Sequence, residues 1–159
     1  MRRKDREITD IRQIQKILEK SDVLRVALNN GKYPYIFPVN FGYEISEDKI
    51  TLYFHTSKEG AKHKIIEKDN RAAFETDCGH MLIPPQGKTV CTASFAYESV
   101  IGLGIINKAA ENEKERLLEG LLNHYGIKQK NFDAVYSANT VVYKIDVESY
   151  TAKIRRQDG

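Results

Sequence analysis

The sequence predicts a mainly β protein, a β-barrel with helices at its periphery, and three observations lead there. About six or seven runs alternate apolar with polar residues or are rich in β-branched and aromatic side chains, as strands are. Three segments change to helical spacing. Turn residues stand between the strands, in chemistry that suits antiparallel pairs and not the long crossovers of a βαβ fold.

Taken in order, Ile11, Ile14, Ile17 and Leu18 recur at helical spacing behind Asp10 and Gln13, a pair able to form a capping box, so residues 9–20 should be a helix. Val23 to Leu28 alternates and runs into Asn29-Asn30-Gly31, a hairpin signal. Tyr33 to Tyr43 reads as extended, and Pro34 and Pro38 place it at an edge or a bulge. After the turn Ser46-Glu47-Asp48, Lys49 to His55 is a strand with Ile50, Leu52 and Phe54 on one face and Thr51, Tyr53 and His55 on the other. The first face is core, and the second has the composition of a ligand wall. Ser57 to Lys68 has helical spacing, and Arg71 to Thr76 returns to strand. Asp77 to Lys88 should be the longest loop, with a short edge strand at Met81 to Ile83. Val90 to Ile106 is one bent strand or two, bent at Gly102 and Gly104. Glu111 to Tyr125 is a helix with a leucine stripe, ended by Gly126. Thr140 to Val147 is a strand that Tyr150 to Ile154 continues or follows.

A chain of 159 residues favours one domain, residues 1–159. Its net charge of +3 lacks the dense basic stripe of a nucleic-acid binder but suits a small anion such as a phosphate ester. The basic runs Arg2-Arg3-Lys4 and Lys153 to Arg156 read as solvated tails. No apolar signal segment follows Met1, and the longest apolar stretch, Val100 to Ile106, is too short to cross a membrane. Cys78 and Cys91 have no close spacing, so a cytoplasmic protein with reduced thiols is expected. Cys78, His80, Cys91 and His124 lack the paired spacing of a metal site, and none is expected.

The most informative segment runs from Tyr53 to Lys64. A strand ends in Thr56 and Ser57, and a helix begins at a turn containing Gly60. Backbone N–H groups and the dipole at a helix start favour an anion. Lys58, Lys62 and Lys64 add charge, and Thr56 and Ser57 add hydroxyls. Lys62 lies one helical turn from Lys58, so both can flank one site, whereas Lys64 lies off that side. His55 shares a face with Tyr53 and can exchange a proton with a ligand near neutral pH, whereas His63 should face solvent. A helix cap with solvated lysines would produce the same pattern. Gly102-Leu103-Gly104 is not a dinucleotide loop, since Asn107 stands where a third glycine belongs.

Four blocks resemble the Nim-type nitroimidazole-resistance family of pyridoxamine 5′-phosphate oxidase-like proteins: Met1 to Ile8, Tyr35 to Tyr43, Leu52 to Lys64, and Tyr97 to Gly104. They occur in the family's order and span most of the chain. The resemblance implies a six-stranded antiparallel split β-barrel, homodimeric, with FMN at the subunit interface. It implies that Phe54, His55 and Thr56 run along the isoalloxazine and that Ser57 to Lys64 receive the phosphate. Lys62 matches the family's phosphate-binding lysine, and Pro38, Val39 and Asn40 match the strand whose backbone reaches the ring. His55 resembles the active-site histidine of the Nim proteins. Ala61 stands where the oxidases carry an arginine beside that lysine, and only Arg155 and Arg156 loosely match their substrate-binding groups, which speaks against pyridoxamine phosphate oxidation. The expected activity is FMN-dependent reduction of nitroimidazole-like or other small electron acceptors. The alternatives are an FMN- or haem-binding module without turnover and a non-flavin barrel acting through protein contacts.

Overall fold

The computed structural model describes residues 3–85, 87, 89–128 and 138–156. Its strands are β1 (Glu7–Ile8), β2 (Leu24–Leu28), β3 (Tyr35–Val39), β4 (Phe41–Ser46), β5 (Lys49–Ser57), β6 (Arg71–Ile83), β7 (Ser94–Lys108) and β8 (Thr140–Arg155). The α-helices α1 (Ile11–Lys20), α2 (Ala61–Lys68) and α3 (Lys114–His124) lie around them. All strand pairings are antiparallel, in the order β3-β2-β6-β7-β8-β5-β4, with β1 added along β8.

Strands β3 and β4 stand at opposite ends of that order, yet only Asn40 separates them in the chain. The sheet must therefore curl until its two ends meet. No ladder joins β3 to β4 among the described residues, so the barrel closes without hydrogen bonds at this seam. The mainly β fold with peripheral helices is as expected. Among the described residues the expected six strands are eight, because the extended run breaks at Asn40 into two strands and the arm Glu7–Ile8 pairs with β8. Pro38 sits on β3, an end strand, where a missing N–H is tolerated.

Local chemistry explains the elements. Asp10 caps α1 by accepting from the Arg12 N–H at 2.9 Å, and the helix buries Ile14, Ile17 and Leu18. Glu47 and Asp48 both take positive φ, 50° and 62°, making the tight turn between β4 and β5. Asp77 to His80, expected as loop, are strand and run on into the strand expected at Met81 to Ile83. A register shift between Cys78 and Met81, with Gly79 at φ 68°, absorbs the irregular residues and lets Met81 to Ile83 pair with β7. Strand β7 is one piece that shifts register at Leu103/Gly104, where any Cβ on Gly104 would press on the Asp146 carbonyl. Strand β8 is also continuous, ending on β1 and β7.

The main core fills the barrel with Phe41, Leu52, Phe54, Phe74, Val100 and Ile145 among others. A second cluster forms outside it, where α3 lays Leu117, Leu118 and Leu121 over Tyr53 and Val142. Each of those buried leucines contributes about 1.5–3 kcal/mol of transfer free energy. Among the described residues, no helix is long and apolar enough to cross a membrane.

Candidate functional site

The seam is where the sequence-predicted residues converge. Phe37 on β3 meets Phe54 on β5 with ring centroids 5.8 Å apart. The Lys62 Nζ lies 5.6 Å from the Phe37 ring centroid and donates to Thr56 Oγ1 at 2.9 Å. Residues of β3, of β5 and of the α2 start are thus tied into one patch. Pro38, Val39 and Asn40 continue directly from Phe37 toward β4, with Pro38 and Asn40 exposed and Val39 half-buried.

Helix α2 begins at Ala61 and not at Ser57 as the spacing suggested. Gly60 turns the chain into it with φ 133° and ψ 156°, backbone that side-chain-bearing residues avoid. Gly60 provides no side-chain cap, so the first-turn N–H groups face the turn without one. This later start corrects the Lys58 argument. Lys58 lies outside the helix, exposed, its N–H donating to the Asn139 carbonyl at 3.2 Å, so no helical turn relates it to Lys62. The Ser57 hydroxyl donates to the Glu59 carbonyl at 3.0 Å and shapes this turn. Lys62, half-buried, is the cation held at the helix start, and Lys64 is exposed.

The outer face of β5 divides. His55 is half-buried, and burial pushes its pKa below the ordinary histidine value, so its ring is neutral at pH 7. Tyr53 is not a ligand wall. It is 3% exposed and lies under α3, between Gly42 and Gly120, at both of which a Cβ would overlap its ring or hydroxyl. Burial pushes its phenol up to about 12. Phe54 is fully buried on the core side. Positions 53 and 54 are paired to both β4 and β8, so on β5 it is from His55 onward, past the end of the β4 ladder, that backbone is left to meet a ligand.

Two residues joined to this patch escaped the sequence reading. His63, expected in solvent, has its Nε2 2.9 Å from the Ser57 carbonyl and its Nδ1 2.8 Å from the Tyr143 hydroxyl. A carbonyl only accepts, so Nε2 carries the proton and Nδ1 accepts from Tyr143. Tyr143 in turn stacks on Phe54 at 5.7 Å and stands opposite it in the β5–β8 register. Helix α2 is thereby pinned to the ends of β5 and β8. Only the register reveals this, since Tyr143 is 80 residues from His63.

The remaining histidines and cysteines are placed apart. His124 Nε2 donates to the Ser21 carbonyl at 2.9 Å, Cys78 is buried and Cys91 is exposed. Among the described residues no three His, Cys, Asp or Glu side chains gather as a metal site.

Residues 10–154 match the protein family described as pyridoxamine 5′-phosphate oxidase. Solved structures with the same fold include a Bacteroides thetaiotaomicron protein described as a candidate 5-nitroimidazole antibiotic resistance protein. It is 28% identical, with a TM-score of 0.78 over 93% of this chain and 86% of that one. The FAD and heme binding protein of Mycobacterium smegmatis matches at 17% identity and a TM-score of 0.80, covering 97% of this chain and 76% of its own. A FAD-binding protein of Mesorhizobium loti matches at 16% identity and 0.64, covering 95% and 98%. None of the curated proteins matches the chain.

Proposed function

Because the chain belongs to the pyridoxamine 5′-phosphate oxidase family, we propose that it is an FMN-dependent oxidoreductase that reduces nitroimidazole-like or other small electron acceptors. The observation that carries this reading is the anion cradle at the seam: the start of α2 at Gly60, with Lys62 held beside Thr56. A helix start and one fixed ammonium suit a terminal phosphate monoester. The residues therefore fit the phosphate end of a flavin mononucleotide. Backbone of β5 at His55 and Thr56, beyond the end of its ladder with β4, and of Pro38 to Asn40 borders the same seam and offers edges for a flat ring.

A bound flavin would supply two-electron transfer, which side chains cannot perform. Lys62 and the α2 N–H groups would neutralise the phosphate. His63 and Tyr143 would hold the helix start at its distance from β5. His55, neutral at pH 7, would orient a substrate by hydrogen bonding more readily than it would deliver its own proton. The 28% identity to the Bacteroides protein, described as a candidate 5-nitroimidazole antibiotic resistance protein, supports the substrate class.

We place the flavin between two copies of the chain in the cytoplasm. The outer face of β6 and β7 supports a second copy: Leu82, Phe95, Ile101 and Leu103 are exposed there, and Leu103 also lines an apolar cavity of about 500 Å³ with Ala27 and Ala73.

The visible absorption spectrum of the purified protein tests the cofactor, and chromatography of the heat-released flavin identifies it. FMN is expected; a colourless protein that takes up no flavin would sink the reading. Anaerobic mixing of the reduced protein with a nitroaromatic compound then tests turnover. Rapid reoxidation is expected, and its absence would leave a flavin-binding module.

A further inference from the structure

The two basic runs that read separately as solvated tails are brought together by the fold. Pairing of Glu7 with Lys153 and Ile8 with Ala152 lays the segment preceding α1 along the last residues of β8. Between them opens a cavity of about 620 Å³, lined by Arg3, Arg6, Arg155 and Arg156 over a floor of Ile8 and Ile154. A second cavity of about 460 Å³ adjoins it and shares Gln13, Ile154 and Arg156, adding Arg12, Lys16 and Lys20 from α1.

The charge count separates this trough from an ordinary solvated surface. Seven cationic side chains line it against three carboxylates, Asp5, Asp10 and Glu98, a surplus of +4. The whole chain carries only +3, so the remainder of the molecule is slightly negative. The carboxylates are also committed. Asp5 pairs with Arg3 at 2.5 Å and Arg6 at 3.8 Å, Glu98 pairs with Lys20 at 3.1 Å, and Asp10 caps α1. Among the described residues Arg12, Lys16, Arg155 and Arg156 have no carboxylate partner. Concentrating like charges costs stability unless an anion shares the site.

We propose that this trough binds a small anion bearing at least two phosphoryl groups, of the nucleoside diphosphate or pyrophosphate kind. Guanidinium forks match phosphate oxygens in bidentate pairs, and with the Arg3 fork closed on Asp5 the first cavity still offers Arg6, Arg155 and Arg156. The volume is that of a small-molecule site and not of a long polymer track. The two adjoining cavities, each with its own cations, suit linked phosphates better than a single one. Within one chain the trough lies apart from the seam. His55 faces Val142 in the β5–β8 ladder, and Arg155 lies roughly 40 Å further along β8 at strand rise.

The test is calorimetric titration of the full-length protein, with the flavin it retains, using ADP, inorganic pyrophosphate and AMP at low and high salt. ADP and pyrophosphate should bind, AMP at least about tenfold more weakly, and all should weaken with salt. Equal affinity for pyrophosphate and ADP assigns recognition to the phosphates, and tighter ADP adds a nucleoside contact with the Ile8–Ile154 floor. The Arg155→Ala/Arg156→Ala variant should bind at least about tenfold more weakly with its flavin content unchanged. Arg12→Ala/Lys16→Ala, on the exposed face of α1, provides the same test if the first variant fails to fold. The proposal is overturned if neither ADP nor pyrophosphate binds, if AMP binds as well as ADP, or if the trough variants bind normally. It is equally overturned if Lys62→Ala, and not the trough variants, abolishes binding, because the anion would then occupy the seam.

Discussion

Lys62 does two jobs at the residue scale: its ammonium donates to Thr56, and it lies over the Phe37 ring at the start of α2. A charge-assisted hydrogen bond to a phosphate is worth about 1.5–3 kcal/mol. Lys62→Ala should therefore weaken FMN binding roughly 10- to 100-fold, with the circular dichroism spectrum unchanged. Fluorescence titration of the apoprotein with FMN measures it, and an unchanged affinity would remove Lys62 from the site. His55 makes a pH prediction. Its folded pKa lies below its ordinary value because burial opposes the imidazolium. The unfolded chain thus takes up a proton below about pH 6.5 that the folded chain resists. The stability contribution is complete above that pH and is lost as pH falls toward the folded pKa. In urea titrations His55→Gln should lose less stability than the parent between about pH 7 and 5. Equal losses would show that His55 is not the titrating group.

At the scale of elements, the β4–β5 turn and the α3–β5 contact carry opposite lessons. Glu47 and Asp48 hold left-handed backbone without being glycine, at a cost of about 1–2 kcal/mol each. An asparagine followed by a glycine suits such a two-residue turn better, so the double substitution Glu47→Asn/Asp48→Gly should raise stability by about 1 kcal/mol in chemical denaturation. Gly120 shows why an apparent helix improvement fails. Alanine there gains up to about 1 kcal/mol of helix propensity, yet its Cβ meets the Tyr53 hydroxyl. Overpacking of about 1–3 kcal/mol should win, so Gly120→Ala should lower the melting temperature. A rise would mean that Tyr53 can move aside. The leucine stripe of α3 was legible in the sequence because periodicity reports which face of a helix is apolar. The burial of Tyr53 was not, because alternation along β5 tells which residues share a face and not what covers that face.

For the whole molecule, the proposed dimer rests on the outer face of β6 and β7. Ile101 and Leu103 are 49% and 55% exposed in the single chain. A carboxylate buried unpaired at that face costs several kcal/mol, so Leu103→Glu should weaken self-association at least about 100-fold. Light scattering after size exclusion measures it, and a loss of flavin retention in the same variant would support a shared site. A monomeric parent protein would contradict the dimer. By itself the sequence determined the fold class, most of the strands, the capped helix α1 and the presence of a helix start shortly after Thr56 and Ser57. These follow from local periodicity, turn chemistry and helix starts, which depend on neighbours a few residues away. Tertiary structure alone decided the rest: the seam that joins Phe37 to Phe54 and Lys62, the His63–Tyr143 link, and the union of two basic tails into one trough. Each depends on strand order and register, which pair residues far apart in sequence, and no local pattern encodes that pairing.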